Sequence, residues 1–380
     1  MEGTLTNIGG VKTATGDVKT ATPSLARAIN DRLALDLLLQ HGPLTAPQLR
    51  ALTGLSRPTV SDLVERLTGR GLIEVTGECG EDRRGPNARL YGIVAGRAHV
   101  AGVDVRRSAV HVTVADLAGN AVRTSRRKIA PALTEDSAAL TADPPALTAD
   151  PPGLAADLPG LVAEAVAEAA SGRELEAVVI GAPGLVDPRS GDLGSPNDVP
   201  GWRPGLPPEV GRRLGAPVTL ENEVNLAAVA ELRTGSAAGS EDFVLLWLHD
   251  GVGAAVVLGG RLRRGVSGGA GEIGFLEVDG MSYCDQVGAE AARDLSPEAL
   301  AGRIAKGAAA LVTILDPGLV VLGGATGRAG GDTLADLVSD RLRALSPAPT
   351  EVRPSTVAGN AVLQGAVLTA LDLARDAVFG

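Results

Sequence analysis

Apolar positions along the chain follow two regimes, with a changeover near residue 95. From Pro23 to Tyr91 the spacing is mostly helical. The stretch LARAINDRLALDLLLQHG puts Leu25, Ile29, Leu33 and Leu37 on one stripe and stops near Gly42. TAPQLRALTG predicts a short helix with Thr45 as its N-cap and Gly54 as its stop. In LSRPTVSDLVERLTGRGLI, Ser56 is a good N-cap and Pro58 suits a first turn. Val60, Leu63, Val64 and Leu67 then recur at i, i+3, i+4 and i+7, which predicts a buried face. The opposite face carries Arg57, Thr59, Ser61, Asp62, Glu65 and Arg66. LIEVTGECGEDRRGPNARLYGI reads as two strands joined by a Gly-rich loop with Arg83 and Arg84 at its tip.

Beyond that point the apolar runs shorten. AHVAGVDV and HVTVADLAG read as strands that end at a Gly119-Asn120 turn. A helix (LVAEAVAEAA) and a buried-type strand (EAVVIGAPG) follow. VTLEN, FVLLWLHD, GAAVVLGGRL and LVVLGGA add strands, with helices between them, and GNAVLQGAVLTALDLARDAVF closes the chain as an amphipathic helix. Such alternation predicts an α/β unit. Between Thr134 and Pro159 the heptad ALTADPP occurs at 139–145 and again at 146–152. It reads as a duplication in a surface loop, because its paired prolines exclude a helix or a central strand. Residues 1–22, rich in Gly, Thr and Lys, predict a flexible tail. The expected domains are 23–93 and 97–380.

Composition narrows the function classes. A chain of 380 residues, 44% hydrophobic and 21% charged, supports two or three folded units with a sizeable core. Aromatics at 2% are too few for a base-stacking platform on single-stranded nucleic acid. Cys79 and Cys284 lie far apart, which excludes a disulfide framework and points to a cytoplasmic protein. Apolar runs such as Phe243–Leu248 are too short to cross a bilayer, and the first residues show no leader pattern. No membrane partner is expected. Residues 1–95 hold 11 Lys+Arg and 10 Asp+Glu, leaving 24 and 35 of the totals 35 and 45 for the remainder. Only the front segment would tolerate a phosphate backbone.

Three helices with a tight turn between the last two make a helix-turn-helix, and the following strands make its wing. The last helix would enter the major groove by its N-terminus, bringing Ser56, Arg57, Thr59 and Ser61 to bases or phosphates. Arg83 and Arg84 on the wing would reach phosphates or the minor groove. Double-stranded DNA is the expected partner.

Read together with this front unit, GVDV…DLAG, GAPGLVDPRSG…SPN, ENEVNLAA, GRLRRGVSGGAGEIGF and LVVLGG resemble the ROK family (repressors, open reading frames, kinases) over about residues 23–380. The resemblance implies a winged helix-turn-helix followed by a two-lobed, actin-like ATPase (ribonuclease H-like) fold. Lobe 1 would cover about 97–215 plus the helix at 361–378, and lobe 2 about 216–358. Family members with a winged helix are generally regulators of sugar metabolism, and those without one are generally sugar kinases. By resemblance, Asn197, Glu221, Asn222, Glu223 and Glu272 line the sugar pocket.

Departures from the kinase pattern are local and chemical. Glu223 stands where the family's kinases carry their catalytic Asp. The Gly-Gly-Thr phosphate loop after the family's aspartate is replaced by Val105-Arg106-Arg107-Ser108 after Asp104. The second loop reads His249-Asp250-Gly251-Val252-Gly253, which sets a carboxylate near a triphosphate. Leu322-Gly323-Gly324 survives. Phe275 replaces a zinc-binding His, and of the family's cysteine cluster only Cys284 and Glu290 remain, so no metal is expected. These readings predict no cofactor and no catalytic residue. They describe a homodimeric or homotetrameric regulator, in all expectation a repressor, that binds operator DNA and answers to a sugar effector. The alternative is an ATP-dependent sugar kinase with an appended DNA reader.

Overall fold

Residues 23–79, 88–129, 157–194 and 199–380 are described by a computed structural model. The chain divides into two compact units, one holding the residues up to Ile93 together with Phe379–Gly380 and the other running from Val94 to Val378.

In the first unit, capping chemistry sets the helix boundaries. Helix α1 spans Pro23–His41, α2 Ala46–Thr53 and α3 Arg57–Gly69. Thr45 and Gln48 form a reciprocal capping box at α2, and Gly54 ends that helix at φ +70°. Val60, Leu63, Val64 and Leu67 are the buried residues of α3, as their spacing predicts. Strands β1 (Leu44–Thr45), β2 (Ile73–Cys79) and β3 (Ala88–Ile93) form an antiparallel sheet in the order β1-β3-β2, the expected wing stem. The stripe on α1 is a correction. Leu25, Ile29 and Leu33 are exposed, and the inward face is Asp31, Ala34, Leu35 and Leu38. Both faces of α1 are apolar enough that periodicity alone does not choose between them.

The second unit builds the same sheet twice. Strands β4 (His99–Val105), β5 (Ala109–Asp116) and β6 (Ala121–Lys128) run antiparallel. After α4 (Leu158–Ala170), β7 (Leu175–Ala182) joins β4 in parallel. A small hairpin follows, β8 (Val186–Asp187) with β9 (Asp192–Leu193). Helix α5 (Leu206–Leu214) leads to β10 (Val218–Asn222), parallel to β7, and the order is β10-β7-β4-β5-β6. Helix α6 (Glu223–Thr234) comes next.

The second sheet starts with antiparallel β11 (Phe243–Leu248), β12 (Val252–Leu258) and β13 (Arg261–Arg263). A hairpin of β14 (Glu277–Val278) and β15 (Met281–Ser282) and the short helices α7 (Tyr283–Val287) and α8 (Ala289–Arg293) precede α9 (Pro297–Leu315). Strand β16 (Leu319–Gly323) joins β11 in parallel. Helix α10 (Gly324–Leu345), broken at Gly331, leads to β17 (Glu351–Pro354), and α11 (Ala361–Phe379) closes the chain. The order β13-β12-β11-β16-β17 mirrors the first sheet.

Each sheet has its own core, one gathered on Val103, Val112, Val166 and Ile180 and the other on Leu246, Ile304, Val320 and Val338. The strands β11 and β16 are buried at every residue, the continuous apolar pattern of central strands. The last helix of each half crosses over. Helix α6 packs on β11 and β12 of the second sheet. Helix α11 packs on the first sheet, where a Cβ at Gly102 would lie 2.6 Å from Val367 N. The two crossing helices touch, because a Cβ at Gly365 would lie 1.8 Å from Leu226 O. One boundary expected from sequence shifts. Val218–Asn222, assigned to the second lobe, hydrogen-bonds to β7 in the first sheet. The lobes therefore divide after Asn222, because strand order in a sheet is set by pairing and not by position in the chain.

Candidate functional site

In the first unit the α2–turn–α3 element presents the expected DNA-facing residues. Ser56 caps α3, with its Oγ accepting from Thr59 N at 3.4 Å and lying 2.8 Å from Thr59 Oγ1. These two hydroxyls therefore also hold the helix start. Arg57 and Ser61 are exposed, and Thr59 is half-buried. Arg83 and Arg84 lie outside the described residues.

Sequence reading placed Arg66 on the exposed face, and the structure gives it a partner. Asp31, 4% exposed on α1, accepts from Arg66 Nε at 2.9 Å and from its Nη2. Arg70 Nη1 approaches the same carboxylate at 4.0 Å. Asp31 thus ties α1 to α3, the helix that would read DNA. No sequence signal pairs residues 35 apart.

In the second unit the site forms at the β10–α6 junction, between the two sheets. Glu221, the penultimate residue of β10, has its side chain 7% exposed. Its Oε1 accepts from Asn222 N and Asn225 Nδ2, both at 2.9 Å, and its Oε2 accepts from Arg264 Nε at 2.6 Å. Arg264 follows β13, so this ion pair bridges the lobes. Asn222 is the N-cap of α6. Its Oδ1 accepts from Val224 N at 2.8 Å and Asn225 N at 3.1 Å, and its Nδ2 donates to Gly184 O at 3.0 Å. The Arg264–Glu272 loop comes close to lobe 1, where a Cβ at Gly268 (φ +84°) would lie 1.9 Å from Val186 O. Glycine is required there by both space and backbone conformation.

Glu223 opens α6 beside these residues. Burial pushes its carboxyl up to about 7, with Asp104, Glu272 and Asp250 adding to the rise and Arg106 opposing it. Burial also raises Glu272. The structure therefore brings Glu221, Asn222, Glu223 and Glu272 together, with Asp104 and Asp250 beside them. Asn197 lies outside the described residues.

Asp104, the penultimate residue of β4, is 1% exposed. Its Oδ2 accepts from Arg106 Nε at 2.6 Å and from Asn360 Nδ2 at 2.7 Å, and Arg106 Nη2 donates to Asn360 Oδ1 at 3.3 Å. Its Oδ1 is buried without a partner among the described residues, as is His249 Nδ1. Burial lowers the His249 imidazole. Sequence reading flagged Arg106 as bulk in a phosphate loop, but not the part played by Asn360, 254 residues away.

The residues do not fit the zinc that the family implies. Phe275 is 85% exposed and offers no ligand atom for zinc, and no cluster of three or more His, Cys, Asp or Glu that could hold a metal occurs among the described residues. The Asp104 carboxylate, which precedes the altered phosphate loop, is held by Arg106.

The fold defines the class first: a winged helix followed by an actin-like domain of the sugar-kinase type. Comparisons with known proteins agree. Residues 101–289 match the ROK family and residues 29–85 the MarR family. The xylose repressor of Bacillus subtilis (strain 168) is 25% identical over 263 residues, covering 68% of this chain and 63% of the relative. A crystal structure of a ROK family transcriptional regulator, a homolog of E. coli MLC protein, matches with a TM-score of 0.70 at 18% identity, over 93% of this chain and 98% of that one. A ROK hexokinase from Thermus thermophilus matches with a TM-score of 0.57 at 26% identity, over 73% and 99%. The chain carries a ROK family domain behind an N-terminal MarR-type winged helix. It spans 63% of the length of the Bacillus subtilis repressor and 62% of that of the Escherichia coli regulator NagC. Among the described residues no helix is long and apolar enough to cross a membrane.

Proposed function

We propose that the protein is a cytoplasmic, DNA-binding transcriptional regulator, a repressor of carbohydrate metabolism, controlled by a sugar held between the lobes of its ROK domain. It acts as a homodimer or homotetramer on double-stranded operator DNA, with Arg57 and Ser61 on bases or phosphates and Arg83 and Arg84 on the wing. A two-fold protein suits an inverted-repeat operator. The sugar is held by Glu223 and Glu272, framed by Glu221, Asn222 and Asn197. It controls DNA binding only by preferring one lobe arrangement over the other.

The observation that carries this reading is Arg106. A winged helix alone does not separate a regulator from a kinase with a reading head; a guanidinium bound to Asp104 and Asn360 favours the regulator. It stands in the loop where backbone N–H groups would need small residues to reach phosphates. No cofactor and no catalytic step follow from this arrangement. The kinase reading is favoured by one observation, the Glu223 carboxyl near 7, a value suited to a general base.

One experiment separates the two. Binding to DNA from immediately upstream of the protein's own gene is measured at about 150 mM salt, with a sugar panel and with ATP. Specific binding released by a sugar and indifferent to ATP supports the regulator. Sugar-dependent ADP formation, lost in Glu223→Ala, overturns it.

A further inference from the structure

The stretch from Glu272 to Glu290 stands where the family binds zinc, and it lacks the donors. Cys284 is the one thiol or imidazole after His249. A structural zinc site needs a full tetrahedral set of ligands. Two-residue strands and five-residue helices do not hold themselves in place either. Something else must fix this stretch.

One turn of α9 does so. Tyr283, the first residue of α7, is fully buried, and its hydroxyl donates to Ile304 O at 2.9 Å. Its ring lies on Gly307, where a Cβ would stand 2.3 Å from Tyr283 Cζ. Arg303 Nη1 donates to Gln286 O at 3.2 Å, and Lys306 pairs with Asp279 in the β14–β15 turn. Gln286 is 5% exposed, and its amide donates to Val278 O and, at 3.3 Å, to Met281 O. Every polar group of this inner surface thus has a purpose in holding the hairpin and α7 to α9.

From this anchor the backbone reaches two sides of the cleft. Tyr283 N donates to Leu276 O at 2.8 Å, just past the single turn Ile273–Phe275 that Glu272 starts. A Cβ at Gly274 would lie 2.4 Å from Val252 O, so that turn sits directly on β12. Ala289 N donates to His249 O at 3.0 Å, beside Asp250.

We infer that Tyr283, Gln286 and Gly307 are positioning residues: an aromatic peg set against α9 holds Glu272 and the His249–Asp250 turn in place without a metal. The peg stands on its own contacts; that it serves a ligand site rests on the effector reading above.

Two measurements on the full chain test it. Protein produced in zinc-supplemented medium is expected to carry less than about a tenth of a zinc per chain, and its melting temperature to be unchanged by excess EDTA. Stoichiometric zinc whose removal lowers the melting temperature overturns the metal-free peg. Hydrogen exchange then follows Gly307→Ala, which drives the ring off α9, and Tyr283→Phe, which loses only the hydroxyl. Residues 249–254 and 270–289 should exchange about tenfold faster in Gly307→Ala and roughly threefold faster in Tyr283→Phe, with the strands of the first sheet at native protection. Tyr283→Phe alone decides if Gly307→Ala does not fold. Unchanged exchange in these segments, or equal acceleration throughout the second unit, overturns the positioning role. Neither measurement uses a sugar, so their failure leaves the effector reading standing, and a silent sugar panel leaves the peg standing.

Discussion

Arg106 folds back along its own chain to donate its Nε hydrogen to Asp104 Oδ2 at 2.6 Å, while Asn360 donates to the same oxygen from the start of α11. A carboxylate 1% exposed is thereby held by one cation and one amide, with its second oxygen unpartnered. Arg106→Met should cost about 2–4 kcal/mol, because it strips the cation from a buried charge. Adding Asp104→Asn to that variant should restore part of the loss. Urea unfolding measures both, and an unchanged midpoint in Arg106→Met would show that Asn360 alone satisfies Asp104.

Glu223 makes stability depend on pH. Its carboxyl sits at about 7 in the folded chain against an ordinary 4.5. The fold favours the protonated form, so its contribution is complete below the ordinary value and is lost as pH rises through 7. Glu223→Gln should match the native protein near pH 4.5 and exceed it by about 2–3 kcal/mol above pH 8. A difference that stays constant across this range would place the group outside the enclosed cleft.

Asp31 predicts a coupling between helix docking and DNA reading. Asp31→Asn leaves the shape intact but removes the charge that Arg66 and Arg70 share. It should lower the stability of the first unit by about 2–3 kcal/mol, as expected for breaking a largely buried pair. Operator affinity should fall with it, although Asp31 touches no DNA. Denaturation and band-shift titration would read the two effects, and a fully stable variant would show that the apolar contacts of α1 suffice.

Arg57 is exposed at the first turn of α3. Arg57→Ala should weaken operator binding by about 1–3 kcal/mol while leaving unrelated duplex DNA less affected, if the guanidinium reads a guanine edge. An equal loss on every sequence would assign it to a phosphate.

Local chemistry was legible in the sequence, and long-range chemistry was not. The caps at Thr45, Gly54 and Ser56 and the buried face of α3 depend on residues within four positions of each other, and they stand where the spacing places them. The inner strands of both sheets were legible too, because buried strands announce themselves as apolar runs; the edge strands β6 and β17, little buried and rich in polar residues, were missed. Which sheet a strand joins is a matter of pairing, and Val218–Asn222 was assigned to the wrong lobe for that reason. The inward face of α1 was missed because a charged residue, Asp31, lies on it and three large apolar ones do not. At the cleft, motif resemblance brought together Glu221, Asn222, Glu223 and Glu272. Arg264, the partner of Glu221, and Asn360, the partner of Asp104, are recruited from distant segments and carry no local signature.

The bridge between Arg264 and Glu221 sets a threshold. Arg264 is a competitor that cannot diffuse away, so any ligand hydroxyl seeking Glu221 Oε2 meets a rival at high local concentration. If the cleft takes a sugar effector as proposed, sensitivity is governed by how firmly the chain holds its own arginine as much as by how well the pocket fits the sugar. Loosening that hold, for example by Arg264→Lys, would make the protein respond to scarcer ligand without altering any contact the ligand makes with Glu223 or Glu272. Evolution could retune such a sensor to a richer or poorer environment by changing one residue across the cleft, leaving its selectivity in place.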